Sequence, residues 1–457
     1  MPVEAVANTD RRRVVALGMP SLRDLLELPG VVVSGHVGRN VSRVVVGDET
    51  AYLKREHRVR WRDRLRSLLD GFGFVSVSER EYRVIRRLRE HGLPAPQPLA
   101  RGEVDARAFL LLAEADGAVE LRRLSRIEFE LAARLGRIVA EIHNAGVDQP
   151  DLFAKHFLVD PNTGQITILD WQRATLRDVV PWRNRVRSLA AFRATCLDGL
   201  LPSESWQAFL NSYVQSTRSE SRRHNPPWSG DSDLVHRTVN SAAAELRQKP
   251  SIRSQLIPPA ADQQLVRIDG ERVCVIPPLA GDMEEPGLIA SLYDPANNGR
   301  TFRFQGGRVG TLTVARHCFP LSRWAAHVRG KPWRSPELRT ARVLFHLERY
   351  GIPAPRLLAY GQTIKGIANA GSFFLTEPRN GRAAVPADGE ALRELLERLH
   401  DIGCCLRCIG NRGEPFAMDG SVAIVGDVQY LRLNRRLSAR RMARDRRSLD
   451  AILGGRR

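Results

Sequence analysis

His143 to Arg173 reads HNAGVDQPDLFAKHFLVDPNTGQITILDWQR, and this stretch decides the fold. Asp151 follows Gln149-Pro150 and is followed five positions later (156 − 151) by a second polar group, His156. Asp160-Pro-Asn-Thr-Gly164 is dense in turn formers and leads into an alternating strand, Gln165-Ile-Thr-Ile-Leu169, which ends on Asp170. An aspartate after proline is commonly a turn or capping residue. A carboxylate closing an otherwise apolar strand is different, because it needs a cation or a cap.

The flanking chain supplies a frame for that loop. Glu128 to Ile142 has an apolar face at helical spacing and runs straight into it. Phe109-Leu-Leu-Leu-Ala113 reads as a buried strand. Ser78 to His91 places Tyr82, Ile85 and Leu88 on one helical face, closed by Gly92-Leu-Pro-Ala-Pro96. Upstream, Val31 to Lys54 carries β-branched runs at Val31–Val33 and Val44–Val46 and reads as short strands. Strands with one helix, then helices around a loop and hairpin, predict an α+β fold of two lobes.

The chain also echoes itself. Glu81 to Pro96 (EYRVIRRLREHGLPAP) returns as Thr340 to Pro355 (TARVLFHLERYGIPAP), so Gly92 maps to Gly351 at an offset of 259 (351 − 92). Ile142-His-Asn-Ala-Gly146 returns as Leu399-His-Asp-Ile-Gly403 at an offset of 257 (403 − 146), and Asp170 maps to Asp427 at the same offset. A nearly constant register over three separate blocks predicts a tandem duplication. The junction is polar and rich in Ser and Pro, from Ser219 to Gly230 with Pro258-Pro259 beyond. The expected division is a first domain over 15–218, a linker over 219–262 and a second domain over 263–457.

In the 457 residues, 70 Lys and Arg against 51 Asp and Glu leave a net charge of +19. Such a field favours phosphate-rich partners: nucleotides, anionic lipid, phosphorylated glycolipid or nucleic acid. Four of the six cysteines (Cys318, Cys404, Cys405, Cys408) fall in the last third and two are adjacent, which is no disulfide framework and fits a reducing cytoplasm. No apolar run approaches the roughly 20 residues of a membrane span, and Asp10-Arg-Arg-Arg13 is not followed by a signal core.

A loop aspartate, a second ligand, a hairpin and a strand-end aspartate form the order in which kinase-like phosphotransferases arrange an ATP site. His156 where protein kinases carry Asn, Asp170-Trp-Gln-Arg173 where they carry Asp-Phe-Gly, and the basic run Lys54 to Arg66 (KREHRVRWRDRLR) narrow the match. The chain resembles the Kdo/heptose lipopolysaccharide kinase family, bacterial relatives of protein kinases that phosphorylate sugars of the lipopolysaccharide inner core. The likeness covers about residues 30–200 and, more weakly, the second repeat. It implies a two-lobed protein-kinase-like fold, duplicated in tandem, with ATP and Mg2+ as cofactors.

By that resemblance Lys54, ending the strand Ala51-Tyr-Leu-Lys54, grips the α- and β-phosphates, and Glu81 on the following helix pairs with it. Asp151 orients and deprotonates the acceptor hydroxyl. Asp170 holds Mg2+, with His156 as a second ligand or a hydrogen-bonding group, since imidazole is a poorer ligand than oxygen for a hard cation. Gly35 and Gly38 form either the loop over the phosphates or a simple turn. Gln149-Pro150 replaces His-Arg and removes the arginine that reads activation-loop phosphates, so control by loop phosphorylation is not expected. Ser188 stands where many kinases carry a helix aspartate that braces the loop, and its counterpart in the second repeat is Asp445 (445 − 188 = 257).

The second repeat is expected to be a pseudokinase. Cys408 takes the place of Asp151, Thr340 that of Glu81, and Ala315 or Arg316 falls near the lysine position, while Asp427 survives. His400 with Cys404, Cys405 and Cys408 offers half of a zinc site, but no second pair is in sequence reach. The run Arg435 to Arg447 is a solvated face, a contact for anionic lipid or phosphorylated glycolipid, or a contact for nucleic acid. The expected function is transfer of the γ-phosphoryl of ATP to a glycolipid sugar by a cytoplasmic enzyme, with peripheral contact to the inner face of an anionic membrane. The expected partners are ATP and an anionic glycolipid or lipopolysaccharide core acceptor, and not nucleic acid. A catalytically inactive regulator or scaffold, a basic adaptor for membrane or nucleic acid, and a protein serine/threonine kinase are the rival readings.

Overall fold

The computed structural model describes residues 21–454 apart from 37–38, 221–231, 254, 257–264, 269–271, 319–323, 325, 327–332, 366–368, 380, 408–414 and 435–436. The chain divides into two compact units, 1–258 and 259–457.

The upper lobe of the first unit is a five-stranded antiparallel sheet. Its strands are β1 (Gly30–His36), β2 (Arg39–Val46), β3 (Glu49–Glu56), β4 (Pro98–Val104) and β5 (Arg107–Ala113), in the order β1-β2-β3-β5-β4. Helix α1 (Leu22–Glu27) buries Leu22, Leu25 and Leu26 against one face of it. Between β3 and β4 run α2 (Trp61–Leu69) and α3 (Val77–Glu90). Ser76 caps α3 by accepting from the Glu79 N–H, and Gly92 closes it at φ 68°. The buried face of α3 holds Tyr82, Ile85 and Leu88, as their helical spacing predicts, and two charged residues, Arg80 and Glu81.

The lower lobe starts at β6 (Val119–Glu120) and α4 (Phe129–Asn144). The loop that follows carries β7 (Val147–Asp148), β8 (Phe157–Val159), β9 (Ile166–Ile168) and β10 (Thr175–Leu176). Helices α5 (Trp182–Ala194), α6 (Ser203–Glu220) and α7 (Ser232–Arg247) complete it. Phe157, Phe192, Phe209 and Trp171 are fully buried here, with Phe192 stacked on Phe209 at 5.0 Å between ring centres. Gly136, mid-helix in α4, costs about 1 kcal/mol relative to alanine, yet a Cβ there would lie 2.1 Å from the Phe209 carbonyl oxygen. The glycine is what lets α4 and α6 pack backbone to backbone.

The linker expected over 219–262 is corrected. Its residues 232–247 form α7, whose Val235, Val239 and Ala243 recur every fourth position and are buried, and which packs on α5. The unit boundary falls later, between 258 and 259. Most of the polar junction, including Pro258-Pro259, lies outside the described residues.

The second unit has a six-stranded sheet of β11 (Val266–Ile268), β12 (Val273–Val275), β13 (Thr301–Arg303), β14 (Val309–Cys318), β15 (Arg356–Lys365) and β16 (Asn369–Glu377), in the order β11-β12-β15-β16-β14-β13. Helix α8 (Pro336–Arg349) joins β14 to β15, and is capped by Ser335 and closed by Gly351 at φ 62°. The later elements are β17 (Arg382–Ala383), α9 (Gly389–Asp401), β18 (Cys404–Leu406), β19 (Phe416–Asp419), β20 (Val422–Val425), β21 (Leu431–Leu433) and α10 (Ala439–Leu453). The neighbours β13-β14-β16-β15 stand in the order of β2-β3-β5-β4. Likewise β17-β19-β20 follow β6-β8-β9, and the pair β18/β21 follows β7/β10. Among the described residues no helix is long and apolar enough to cross a membrane.

Candidate active site

Strand β3 presents Lys54 toward α3, where its Nζ meets Glu81 Oε1 at 2.6 Å. Glu81 is fully buried, and a buried carboxylate is stable only when its lone pairs are satisfied. Arg39 Nη2 takes Oε2 at 3.2 Å and the Trp171 N–H donates to Oε1 at 3.2 Å. The glutamate thus ties the sheet, the helix and the segment after Asp170 into one unit. Arg39 continues to Gln172 Oε1 at 2.6 Å.

The loop is aligned from beneath. The hydroxyl of Ser188 on α5 donates to the Gln149 carbonyl at 2.7 Å, and Gln149 Nε2 donates to the Asp170 carbonyl at 2.6 Å. Asp170 needs that support, because it sits at φ 63°, where a non-glycine residue costs on the order of 1–3 kcal/mol. Asp148, almost fully buried next to Gln149, gathers Asn184 Nδ2 at 2.7 Å, Arg187 Nη2 at 2.9 Å and Arg177 Nε at 3.1 Å. The sequence reading took Gln149 as a departure from His-Arg and missed its bracing role, and it did not use Asp148 at all. The resemblance already set Ser188 at the brace, but its partner Gln149 and the groups gathered on Asp148 emerge only from the fold. The brace expected of a helix aspartate is instead made by a serine that donates.

His156 and Asp170, expected as the metal ligands, lie next to each other. His156 Nδ1 lies 3.0 Å from the Asp151 carbonyl oxygen, which only accepts, so Nδ1 carries the proton and Nε2 holds a lone pair. That lone pair is 3.4 Å from Asp170 Oδ2. Burial pushes the His156 pKa from its usual 6.5 down to about 4, against the pull of Asp170, so the ring is neutral at pH 7. Burial pushes the Asp170 carboxyl up, but Lys54 and the other nearby cations outweigh it and hold the carboxyl below its usual value. Two acceptors therefore face each other with no proton to share, and Asp170 is 43% exposed at its side chain. This donor set fits a divalent cation completed by phosphate oxygens and water, the form in which Mg2+ is held. Among the described residues no cluster of three or more His, Cys, Asp or Glu offers a self-contained metal cage.

Asp151 stands at the front of the loop with Arg173 Nη1 2.5 Å from its Oδ2, a contact the sequence reading did not foresee although Arg173 belongs to the quoted motif. Gly35 pairs with Asn40 in the β1–β2 hairpin. Gly38 lies outside the described residues.

The second unit keeps the frame and lacks these groups. Lys54 pairs with Leu110 of β5, and the corresponding register pairs Thr313 with Phe374 of β16; each sheet has a bulge, before Ala100 and before Ala359. Thr313 (313 − 54 = 259) therefore takes the lysine position, which corrects the expectation of Ala315 or Arg316. Alternation sets which face a strand residue occupies but leaves a two-residue slip open, and Ala315 is one such slip away. Asp427 accepts from the Gln429 N–H at 2.9 Å and serves as a local cap. Cys404 and Cys405 are buried, His400 Nε2 is 3.1 Å from Asp445 Oδ2, and Cys408 lies outside the described residues.

A buried lysine–glutamate pair between a five-stranded sheet and its one long helix, above a loop aspartate and a strand-end aspartate, defines a protein-kinase-like phosphotransferase. Residues 24–213 match the family model described as Lipopolysaccharide kinase (Kdo/WaaP) family. Over 209 residues the chain is 27% identical to lipopolysaccharide core heptose(I) kinase WaaP of Pseudomonas aeruginosa, covering 41% of this chain and 78% of that protein. Over 133 residues it is 34% identical to 3-deoxy-D-manno-octulosonic acid kinase of Xylella fastidiosa, covering 26% of this chain and 53% of that protein. The chain thus spans about half the length of the Xylella relative. Among solved structures, one titled "WaaP in complex with acyl carrier protein" aligns with 49% of this chain and 93% of its own, at 24% identity and a TM-score of 0.37.

Proposed function

We propose that the first unit transfers the γ-phosphoryl group of ATP to a sugar hydroxyl of a lipopolysaccharide core glycolipid. One observation carries the reading: the unprotonated Nε2 of His156 and the carboxylate of Asp170 face each other at 3.4 Å beside the Lys54–Glu81 pair. The acceptor class follows from the relatives named for heptose and 3-deoxy-D-manno-octulosonic acid. Mg2+ held by Asp170 and His156 would neutralise phosphate charge. Lys54, held by Glu81, would meet the α- and β-phosphates. Arg173 occupies Asp151 Oδ2, leaving Oδ1 to take the acceptor's hydroxyl proton. The acceptor oxygen then bonds to the γ-phosphorus, the bond from that phosphorus to ADP breaks, and ADP leaves. Such catalysis is positioning and charge neutralisation, with no covalent enzyme intermediate.

The parallel strand orders and the 257 and 259 offsets support a tandem duplication, and Thr313 and Thr340 support a second unit that does not transfer phosphate. The setting we infer is the cytoplasmic face of an anionic membrane. The test is incubation of the full chain with Mg2+, γ-labelled ATP, an envelope glycolipid fraction and a generic protein substrate, beside Asp151→Asn. Label in glycolipid that is lost in the variant supports the reading. Label in protein alone would redirect it to a protein kinase, and no label above the variant would remove the catalytic assignment.

A further inference from the structure

Helix α2 is built inside out. Its one buried residue is polar: Ser67, whose hydroxyl donates to the Asp63 carbonyl at 3.0 Å, with Asp63 half-buried beside it. Trp61, Leu65, Leu68 and Leu69 are all exposed, Leu69 by 79%. With about 3.6 residues per turn, these four fall within an arc of about 100°, opposite Asp63 and Ser67. A helix of a globular domain normally turns such a stripe to the core. Here arginine chemistry anchors the region instead: Arg64 reaches the Phe74 carbonyl at 3.1 Å and pairs with Glu103, and Asp70, the residue after α2, holds Arg80 of α3 at 2.6 Å. Phe74, in the turn that follows, is exposed as well.

Positive charge borders the stripe. Arg58, Arg60, Arg62 and Arg66 are exposed around it, and the Arg62 guanidinium lies 5.3 Å from the Trp61 ring centre. The stripe is small: nine residues make a helix about 13 Å long and about 10 Å wide. That footprint falls far short of the roughly 800 Å² per partner that a stable protein interface buries. A lipid surface sets no such minimum and needs no complementary shape. Leucines sink below the headgroups, tryptophan favours the interface, and arginines meet anionic headgroups.

We propose that α2 seats the protein on an anionic lipid surface, with Trp61, Leu65, Leu68 and Leu69 in the headgroup–acyl boundary and the arginines at the headgroups. Because α2 packs on α3, which carries Glu81, the seat would hold the nucleotide site at the level where a glycolipid acceptor lies. Lipid binding needs no turnover and stands whatever the acceptor is.

The test is sedimentation of the full chain with phosphatidylcholine vesicles and with vesicles of equimolar phosphatidylcholine and phosphatidylglycerol. The chain should bind the second kind and lose that binding as salt rises. Leu68→Gln/Leu69→Gln should reduce the bound fraction's partition coefficient at least about tenfold, and Trp61→Gln should lower it independently. Both variants should keep the wild-type circular dichroism spectrum and acceptor-free ATP hydrolysis. Equal binding of the double variant and the wild type would overturn the proposal. So would a wild-type chain that stays in the supernatant with both vesicles, which would leave the stripe to a protein contact. Failure to label a detergent-solubilised glycolipid would count against the proposed function and leave this inference untouched.

Discussion

The two units solve the same scaffolding problem with the same parts and diverge where charge is needed. Both turn into the loop through a left-handed glycine, Gly146 at φ 80° and Gly403 at φ 83°. In both, a helix side chain donates across to that turn: Arg87 to the Ala145 carbonyl, and His346 Nε2 to the Ile402 carbonyl at 2.8 Å. Both hang the hairpin from a proline carbonyl, Pro94 for Ile168 and Pro353 for Val425. Yet Lys54 and Glu81 stand against Thr313 and Thr340, and His156 stands against Pro415, since Leu169 N–H bonds the first carbonyl and Gly426 N–H the second. Among the described residues the second unit has a similar backbone frame, with Thr313, Thr340 and Pro415 where the first has Lys54, Glu81 and His156. Asp427 shows the point most clearly: it is retained, but its carboxylate caps a turn at φ −116° instead of facing a second ligand.

The largest expected effect separates the aspartates. Asp170→Ala or Asp151→Asn should lower the rate of phosphoryl transfer about 10³-fold, within the usual range for a proton-transfer group, while Asp427→Ala should leave initial rates unchanged. A comparable loss at Asp427 would break the comparison. Next comes the ion pair. Glu81→Ala strips Lys54 and Arg39 of a fully buried partner and should cost about 3 kcal/mol of stability in denaturant titration, whereas Thr340→Ala should cost less than about 1 kcal/mol.

The histidine at the first site makes a pH prediction. Its pKa is about 4 when folded against an ordinary 6.5, so the unfolded chain binds the proton first as the pH drops. The contribution is fully present above pH 6.5 and is lost on acidification from pH 6.5 toward pH 4, by roughly 3 kcal/mol at most. His156→Asn should flatten that part of the stability–pH curve. The smallest effect sharpens the contrast at the braces. Ser188 donates to a carbonyl, while Asp445 accepts from the Leu406 N–H at 3.0 Å and faces His400. Ser188→Ala should cost about 1 kcal/mol and Asp445→Ala about 2 kcal/mol, and Ser188→Asp should destabilise further by setting a carboxylate against the Gln149 carbonyl. Thermal unfolding of the variants checks the order.

Much of this was legible in the chain. The helix carrying Glu81 has its cap, its apolar spacing and its closing glycine in sequence, and strand β5 is visible as one apolar run. Asp151, His156 and Asp170 declared themselves by order along a loop and hairpin, because those residues are local to one another. What could not be read was contact between distant segments. Arg39 on Glu81, Ser188 on Gln149 and Asp148 among its arginines and Asn184 join segments that only the tertiary fold brings together. The place of Thr313 depended on a bulge in the neighbouring strand, which leaves no periodic trace. Helix α2 is a case the sequence analysis did not treat: an apolar stripe at helical spacing normally lies against a core, and the structure shows this one in solvent.

The most direct test of the central contrast is calorimetric titration of the full chain with ATP and Mg2+. The account predicts one nucleotide per chain, with binding lost in Lys54→Met/Asp170→Ala and unchanged in Thr313→Ala/Asp427→Ala. Two nucleotides per chain, or a single site that survives the first pair of substitutions and disappears with the second, would contradict it.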